Sequence, residues 1–173
     1  RCKKEEVLKN ATAINVEIQG LDRKSLKGIL ILFEDEFVAG ERDSEMFKNP
    51  LITNVKYTID GLPNKRYSNG LKAWNQFDEI SKHFMPENSK PNHTSAIDLR
   101  LYYCENKFGL WTDLRSTEDN NLHGTGKAHN AKNVIKMEIT KKNQGARKYT
   151  MYVYAVSDAR IKIKNKMLTS FEY

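Results

Sequence analysis

The chain has few of the residues that build covalent or metal-stabilised scaffolds. Its 173 residues include two cysteines, Cys2 and Cys104. They lack the recurring spacing of a disulfide framework or a zinc site. The sequence therefore argues against a small disulfide-rich fold and favours a reducing compartment.

Long hydrophobic runs are also missing. The longest apolar run, residues 28–33, is far shorter than the roughly 20 residues that a membrane-spanning helix needs. It predicts a buried strand, and we expect no membrane span. No signal peptide is visible. Because the chain begins at Arg1 rather than Met, we expect a fragment, a processed product or a trimmed piece, from which a targeting signal could have been removed.

What the chain does contain is typical of a soluble globular protein. Charged residues make up 29% of it and hydrophobic residues 39%. The length corresponds to about one domain. We therefore expect a single domain over residues 1–173, with residues 1–12 as an N-terminal arm. The lysine-rich start, residues 1–10, predicts an arm or a short helix.

The charge balance is basic, and part of it falls on one predicted strand. Lys plus Arg number 29 against 22 for Asp plus Glu, a net charge of +7. In residues 160–166 the basic side chains share one face of an extended segment and isoleucines occupy the other; the basic residues are Arg160, Lys162, Lys164 and Lys166. This face is a candidate contact for nucleic acid or for another subunit. Edge strands also use lysines to discourage aggregation, so both interpretations stay open.

Period-two alternation dominates the rest of the pattern. It predicts strands at residues 13–19, 51–59, 133–140 and 160–166. The apolar run 28–33, which does not alternate, the β-branched and aromatic run 149–156 and the apolar segment 108–114 predict three more. At residues 51–59 the alternation places Leu51, Thr53 and Val55 on the buried side. Seven or so strands without a regular βαβ rhythm favour a β-sandwich over a parallel sheet.

One segment changes to a helical period. In residues 70–85, apolar residues recur at three- and four-residue steps, which predicts an amphipathic helix with Trp74 in the core and Glu79 facing water. Trp111 is also expected to pack in the core. A second, short helix is predicted at residues 97–104.

Residues 110–126 combine an aromatic strand, a polar cluster and a glycine turn. The turn that begins at His123 lacks the spacing of a phosphate-binding loop, and Ala128 stands where that loop has its metal-binding hydroxyl. Asp113 and Arg115 are two positions apart, which predicts a shared strand face, where an ion pair with neighbouring residues is the ordinary expectation.

Catalytic and metal-binding patterns were considered and are not matched. The set Asp113, Glu118, Asp119, His123 and His129 lacks any known hydrolase or metalloenzyme signature. The acidic residues between 34 and 50 lack the calcium-loop pattern. We therefore expect no catalytic residue, no cofactor and no metal ion.

Two stretches, residues 48–68 and 110–126, resemble the jelly-roll capsid proteins of Polinton or Maverick elements and related double-stranded DNA viruses. The resemblance spans about residues 26–168. It implies eight β-strands in two facing sheets, assembly into icosahedral shells, and no chemistry. The major capsid proteins of this group carry two jelly rolls, whereas this length holds one. The chain is then a single-roll relative or one half of a longer protein.

Together these observations predict an all-β, jelly-roll β-sandwich of about eight strands, with one amphipathic helix in an inter-strand insert. The expected function is that of a structural capsid protein, not an enzyme, which assembles into homotrimers or pentamers with other capsid subunits and encloses nucleic acid. Its expected location is the virion, or otherwise the host cytoplasm or nucleus. The first alternative is a basic β-domain that binds nucleic acid, and the second is a hydrolase that uses residues 113–129.

Overall fold

The structure is a computed structural model, and it is mostly β. It describes residues 3–19, 25–35, 47–59, 61–63, 69–84, 99–105, 107–115, 127–128, 134–143, 148–158, 160–164 and 167–172. The strands are β1 (Lys3–Val7), β2 (Ala13–Ile18), β3 (Ser25–Asp35), β4 (Ile52–Ile59), β5 (Leu62–Pro63), β6 (Leu71–Lys72), β7 (Leu110–Asp113), β8 (Lys127–Ala128), β9 (Ile135–Lys141), β10 (Tyr149–Ser157), β11 (Arg160–Lys164) and β12 (Met167–Glu172). The helices are α1 (Ala73–Phe84) and α2 (Leu99–Cys104). Neither helix is long and apolar enough to cross a bilayer.

The strands form two antiparallel sheets and a separate hairpin. Sheet A has the order β1-β10-β3-β7, and β8 also pairs with β3. Sheet B has the order β2-β9-β4-β5, and β6 also pairs with β4. The hairpin consists of β11 and β12, which pair with each other.

The core lies between the two sheets. In β2 the residues Ile14, Val16 and Ile18 are buried and those between them are exposed. Strand β9 alternates in the same way, and inward residues of sheet A join the same apolar cluster. A hydrogen bond from the Thr112 hydroxyl to the Tyr57 hydroxyl joins the inner faces of the two sheets. The architecture is therefore an all-β sandwich of two antiparallel sheets.

Strand β3 is covered on both faces, as its continuous apolar run predicts. Ile29, Ile31 and Phe33 are buried in the core. Leu30 and Leu32 point to the other side and are half-buried. The segment at Gly109 lies over these two leucines, together with a side chain from α1. The outer face of sheet A is thus partly packed in this region.

The predicted alternation is wrong at the start of β4. Leu51 lies outside the strand, has a φ of 58° and is 41% exposed. The register with β9 shifts between Ile52 and Asn54. Such a bulge places two residues opposite one and reverses the facing of the residues before it. Ile52 is therefore buried where Leu51 and Thr53 had been expected.

The predicted apolar face of α1 is confirmed at Ile80, which is buried, and at Phe77, which packs against the core, but it is wrong at Trp74 and Glu79. Trp74 is 68% exposed, whereas Gln76 and Glu79 are buried. The helix directly follows β6, and the Gln76 side-chain amide donates a hydrogen bond of 3.0 Å to the carbonyl of Leu71 in that strand. This contact turns the polar positions inward and leaves Trp74 outside.

Two other segments differ in type or length from the prediction. Lys3–Val7, within the segment expected to be an arm or a short helix, is the strand β1 and pairs with β10. The strand expected at residues 108–114 is shorter and spans Leu110–Asp113. The short helix predicted at residues 97–104 is confirmed as Leu99–Cys104.

Candidate functional site

The candidate basic face lies on β11. Lys162 and Lys164 are exposed, and Ile161 and Ile163 between them are 56% and 68% exposed. Arg160 is in the same strand and is paired in register with Glu172. Lys166 lies outside the described residues. The segment is thus a strand as predicted, but both of its faces, apolar as well as basic, are open to solvent.

The hairpin leaves the sandwich at a fixed point. Asp158, which follows β10, donates its backbone N–H to the Ser25 carbonyl at 2.9 Å. Its carboxylate accepts a hydrogen bond from the Ser25 hydroxyl at 2.9 Å and lies 2.8 Å from the Lys27 ammonium. Among the described strands, β11 and β12 pair only with each other. The hairpin is therefore anchored at its root and joined to neither sheet.

A second cluster is centred on Trp111, in β7. A Cβ atom added to Gly28 in the neighbouring strand would lie 2.2 Å from Cζ2 of Trp111. Only glycine leaves room for the indole against the sheet. The opposite face of the indole stacks on the imidazole of His83 from α1, with ring centroids 4.0 Å apart. Trp111 is fully buried, as predicted.

Asp113 and Arg115, expected to form ion pairs with neighbouring residues, form one with each other. Nε of Arg115 donates to Oδ1 of Asp113 at 2.9 Å, and Nη2 donates to Oδ2 at 2.7 Å. The backbone N–H of Arg115 also donates to Oδ1. The two side chains are 3% and 8% exposed, so this bidentate pair is largely shielded from solvent. The carboxylate is held by Arg115 and stabilises the end of β7.

His83 is a neighbour of this pair that the sequence did not single out. Burial lowers the pKa of His83, and the positive charge of Arg115 lowers it further. The Asp113 carboxylate acts in the opposite direction, and Lys27 adds to the lowering. We therefore expect a neutral imidazole at pH 7. The available signal was its spacing of three and four residues from Ile80 and Glu79, on the buried face of α1.

The other residues proposed for a hydrolase site, Glu118, Asp119, His123 and His129, lie outside the described residues. Within the described ranges, no group of three or more His, Cys, Asp or Glu side chains is placed to hold a metal ion. A shallow groove of about 350 Å³ runs where β1, β2 and β9 meet, and its lining includes Lys3, Glu17 and Glu138.

The fold and these surfaces define an all-β sandwich and a basic and apolar hairpin that, among the described strands, pairs with neither sheet. Comparison with known protein families, curated proteins and solved structures finds no match for this chain. Its function is therefore argued from the arrangement of its own strands and surfaces.

Proposed function

We propose that this chain is a structural subunit that self-assembles into a virus-type icosahedral shell, and that its sandwich is a jelly roll of eight main strands. The observation that carries the proposal is the strand pairing. The first main strand pairs with the last, β1 with β10, and the second with the second-last, β2 with β9. The inner strands follow the same rule, β3 with β7 and β4 with β6.

This nested pairing is what results when one long antiparallel ribbon of four strand pairs is rolled up. Rolling places alternate pairs side by side, so that β10 lies beside β3 and β9 beside β4, the order of the two sheets. A double-sheet jelly roll of eight strands has this topology. Strand β6, which is also two residues long, closes the innermost pair of the ribbon with β4. The other two-residue strands, β5 and β8, and the hairpin lie outside the nested pairs.

A jelly roll by itself does not define a function, because the fold also occurs in lectins and cupins. The resemblance of residues 48–68 and 110–126 to Polinton-type capsid proteins favours the shell. An exposed hairpin with an apolar face supports it further, since such a surface is suited to contact with another subunit. Homotrimers or pentamers are the expected building units, and the virion is the expected location.

The test is the state of association in solution. Light scattering after size-exclusion chromatography should give a mass of three or five times 20.0 kDa that grows with concentration. Electron microscopy across a range of salt and pH should show closed particles. A chain that stays strictly monomeric at high concentration under all these conditions would overturn the proposal.

Nucleic-acid binding is a second candidate function, favoured by the exposure of Lys162 and Lys164. Phosphate contacts release counterions, so binding should weaken steeply between 50 and 200 mM salt, roughly in proportion to the number of contacts. The double substitution Lys162→Gln/Lys164→Gln should reduce the slope of log affinity against log salt by about 2. An unchanged slope would assign the binding to another surface.

A further inference from the structure

The hairpin exposes more apolar surface than a two-stranded sheet can stabilise by itself. Ile161 and Ile163 are each more than half exposed, and the register pairs them with Phe171 and Leu168. An isolated hairpin is marginally stable in water, and strands normally need a third partner or a packed layer. We therefore expect another strand or surface to cover the two isoleucines.

A sheet edge is the natural partner for such a strand, and β2 is the most suitable edge. At one side of the sandwich, α1 packs on β7, and the edge of β4 already carries β5 and β6. At the other side the outermost described strands are β1 and β2, each with a described strand on one flank only. The edge strand of a sheet offers its outer backbone N–H and C=O groups to another chain.

The alternation of β2 matches that of β11. Ile14, Val16 and Ile18 face the core, and Asn15 and Glu17 face out. A strand added at this edge continues the pattern when its isoleucines turn inward and its lysines outward. Glu17 then meets a lysine from the added strand. The Glu17 carboxylate lies 3.7 Å from the Lys136 ammonium. Its side chain is still 45% exposed, so a second cation can also reach it.

Strand β1 fits less well. Its only fully buried side chain is Val7, and its other two inward positions are the charged residues Lys3 and Glu5. The outward residues are one of each sign, Lys4 and Glu6, so charge does not decide between the edges. The isoleucines of an added strand would lie beside charged residues at β1 and beside apolar residues at β2, so the pattern selects β2.

We propose that β11 of one copy adds to the edge of β2 in a second copy, so that the hairpin extends sheet B of its neighbour. Ile161 and Ile163 then lie beside the apolar row of β2. Lys162 lies beside Asn15 or Glu17. The contact joins two different surfaces, so it repeats from copy to copy and closes into a ring when the rotation allows. The proposal rests on the self-assembly argued above and specifies one of its contacts.

Cysteine cross-linking between two variants tests the contact directly. In a Cys2→Ser/Cys104→Ser background, one preparation carries Lys162→Cys and the other carries Glu17→Cys or Asn15→Cys, to cover both registers. Mixed under mild oxidation, they should give a disulfide-linked heterodimer on a non-reducing gel. The matched control is Lys56→Cys, which is also exposed on the outer face of sheet B but lies in β4, two strands in from the β2 edge.

A companion variant, Ile161→Thr/Ile163→Thr, keeps β-branched residues in the strand and removes its apolar face. It should raise the concentration needed for association roughly tenfold or more, with an unchanged melting temperature, because both residues lie outside the core. Cross-linking at position 15 or 17 but not at 56 supports the contact. Association that persists without such cross-links, and is insensitive to the isoleucine variant, overturns this contact and leaves the proposed function in place. A strict monomer overturns both.

Discussion

At the scale of single residues, the contact of Gly28 with Trp111 shows how a residue without a side chain sets the position of a neighbouring indole. The indole occupies the space over the strand that a Cβ would fill, and a Cβ at Gly28 would also lie 2.6 Å from the Thr112 carbonyl. The indole of Trp111 thereby covers the backbone at Gly28, and it also stacks on the imidazole of His83.

Gly28→Ala should therefore destabilise the sandwich by about 1–3 kcal/mol through overpacking. Urea unfolding followed by circular dichroism measures the loss. Gly61→Ala is the comparison: its φ is +78° but no atom of the described residues lies within 4 Å of the added Cβ, so its cost should be only about 1 kcal/mol. Adding Trp111→Phe to Gly28→Ala should give less than the sum of the two single losses. If the two losses of unfolding free energy simply add, the alanine Cβ does not clash with the indole.

His83 should make the stability of the fold depend on pH below neutrality. The pKa of His83 is lowered in the folded state, chiefly by burial, so the unfolded chain binds the proton first as pH falls. Stability is full above about pH 6.5, the unfolded value, and is lost as pH falls from there towards the lower folded pKa. The protonated ring would lie near Arg115 and Lys27, and only Asp113 would favour it.

The measurement is the urea midpoint between pH 7.5 and pH 5. His83→Gln should reduce the fall in the midpoint over this interval, and His129→Gln, the same change of residue elsewhere in the chain, should not. Equal pH profiles for the original chain and His83→Gln would contradict this account.

At the scale of elements, α1 is defined by its polar contacts as much as by its apolar ones. Its inward face contains Gln76, Glu79 and Ile80, and His83 continues it to Trp111. Tyr103 of α2 donates a hydrogen bond to the Ala73 carbonyl, and Phe77 packs edge-on against Tyr102 at 5.3 Å. The short helix α2 thus holds α1 in place against strand β7 of sheet A.

The orientation of α1 predicts a large loss of stability for truncating one large apolar residue and almost none for truncating another. Ile80→Ala should cost roughly 2–4 kcal/mol because Ile80 is 6% exposed and packs on the core. Trp74→Ala should change the unfolding free energy by about 0.5 kcal/mol or less, because that indole lies mostly in solvent. Thermal unfolding of both variants is the check. A larger loss for Trp74→Ala would mean that α1 presents its other face.

The sequence predicted those elements whose faces differ clearly in polarity. β2 and β9 have buried apolar and exposed polar residues in strict alternation, and both were predicted. β1 was missed because Lys3–Glu6 carries little apolar signal, and the backbone pairing with β10 holds it in place. The apolar stripe of α1 was predicted, but Trp74 and Glu79 were assigned to the wrong sides, because the helical period alone does not show that the Gln76 amide binds the Leu71 carbonyl.

The candidate surface was predicted only in part. The alternation of residues 160–164 indicated a strand with lysines on one face, and that strand is present. The same alternation normally indicates that the isoleucines pack inside. That they are exposed depends on the hairpin's separation from both sheets, which is a property of the whole topology and not of the segment.

At the scale of the whole molecule, we expect the sandwich to fold without the hairpin. The contacts of Asp158 with Ser25 and Lys27 lie between the last strand of the sandwich and β11, and among the described strands β11 and β12 pair with neither sheet. A chain that stops after Asp158 should keep both sheets and melt within a few degrees of the full chain, but should no longer associate. Circular dichroism and light scattering on the same sample provide the test. A truncated chain that fails to fold would show that the hairpin contributes to the sandwich itself.

The nested pairing of strands also affects how the protein folds. Lys3 pairs with Val153, 150 positions further along the chain (153 minus 3). Sheet A therefore cannot be completed until Val153 has been synthesised, and contacts of such long range make folding slow. Until β10 emerges, β1 and β3 lack the strand that joins them in sheet A, and this exposes them to premature pairing with other nascent chains.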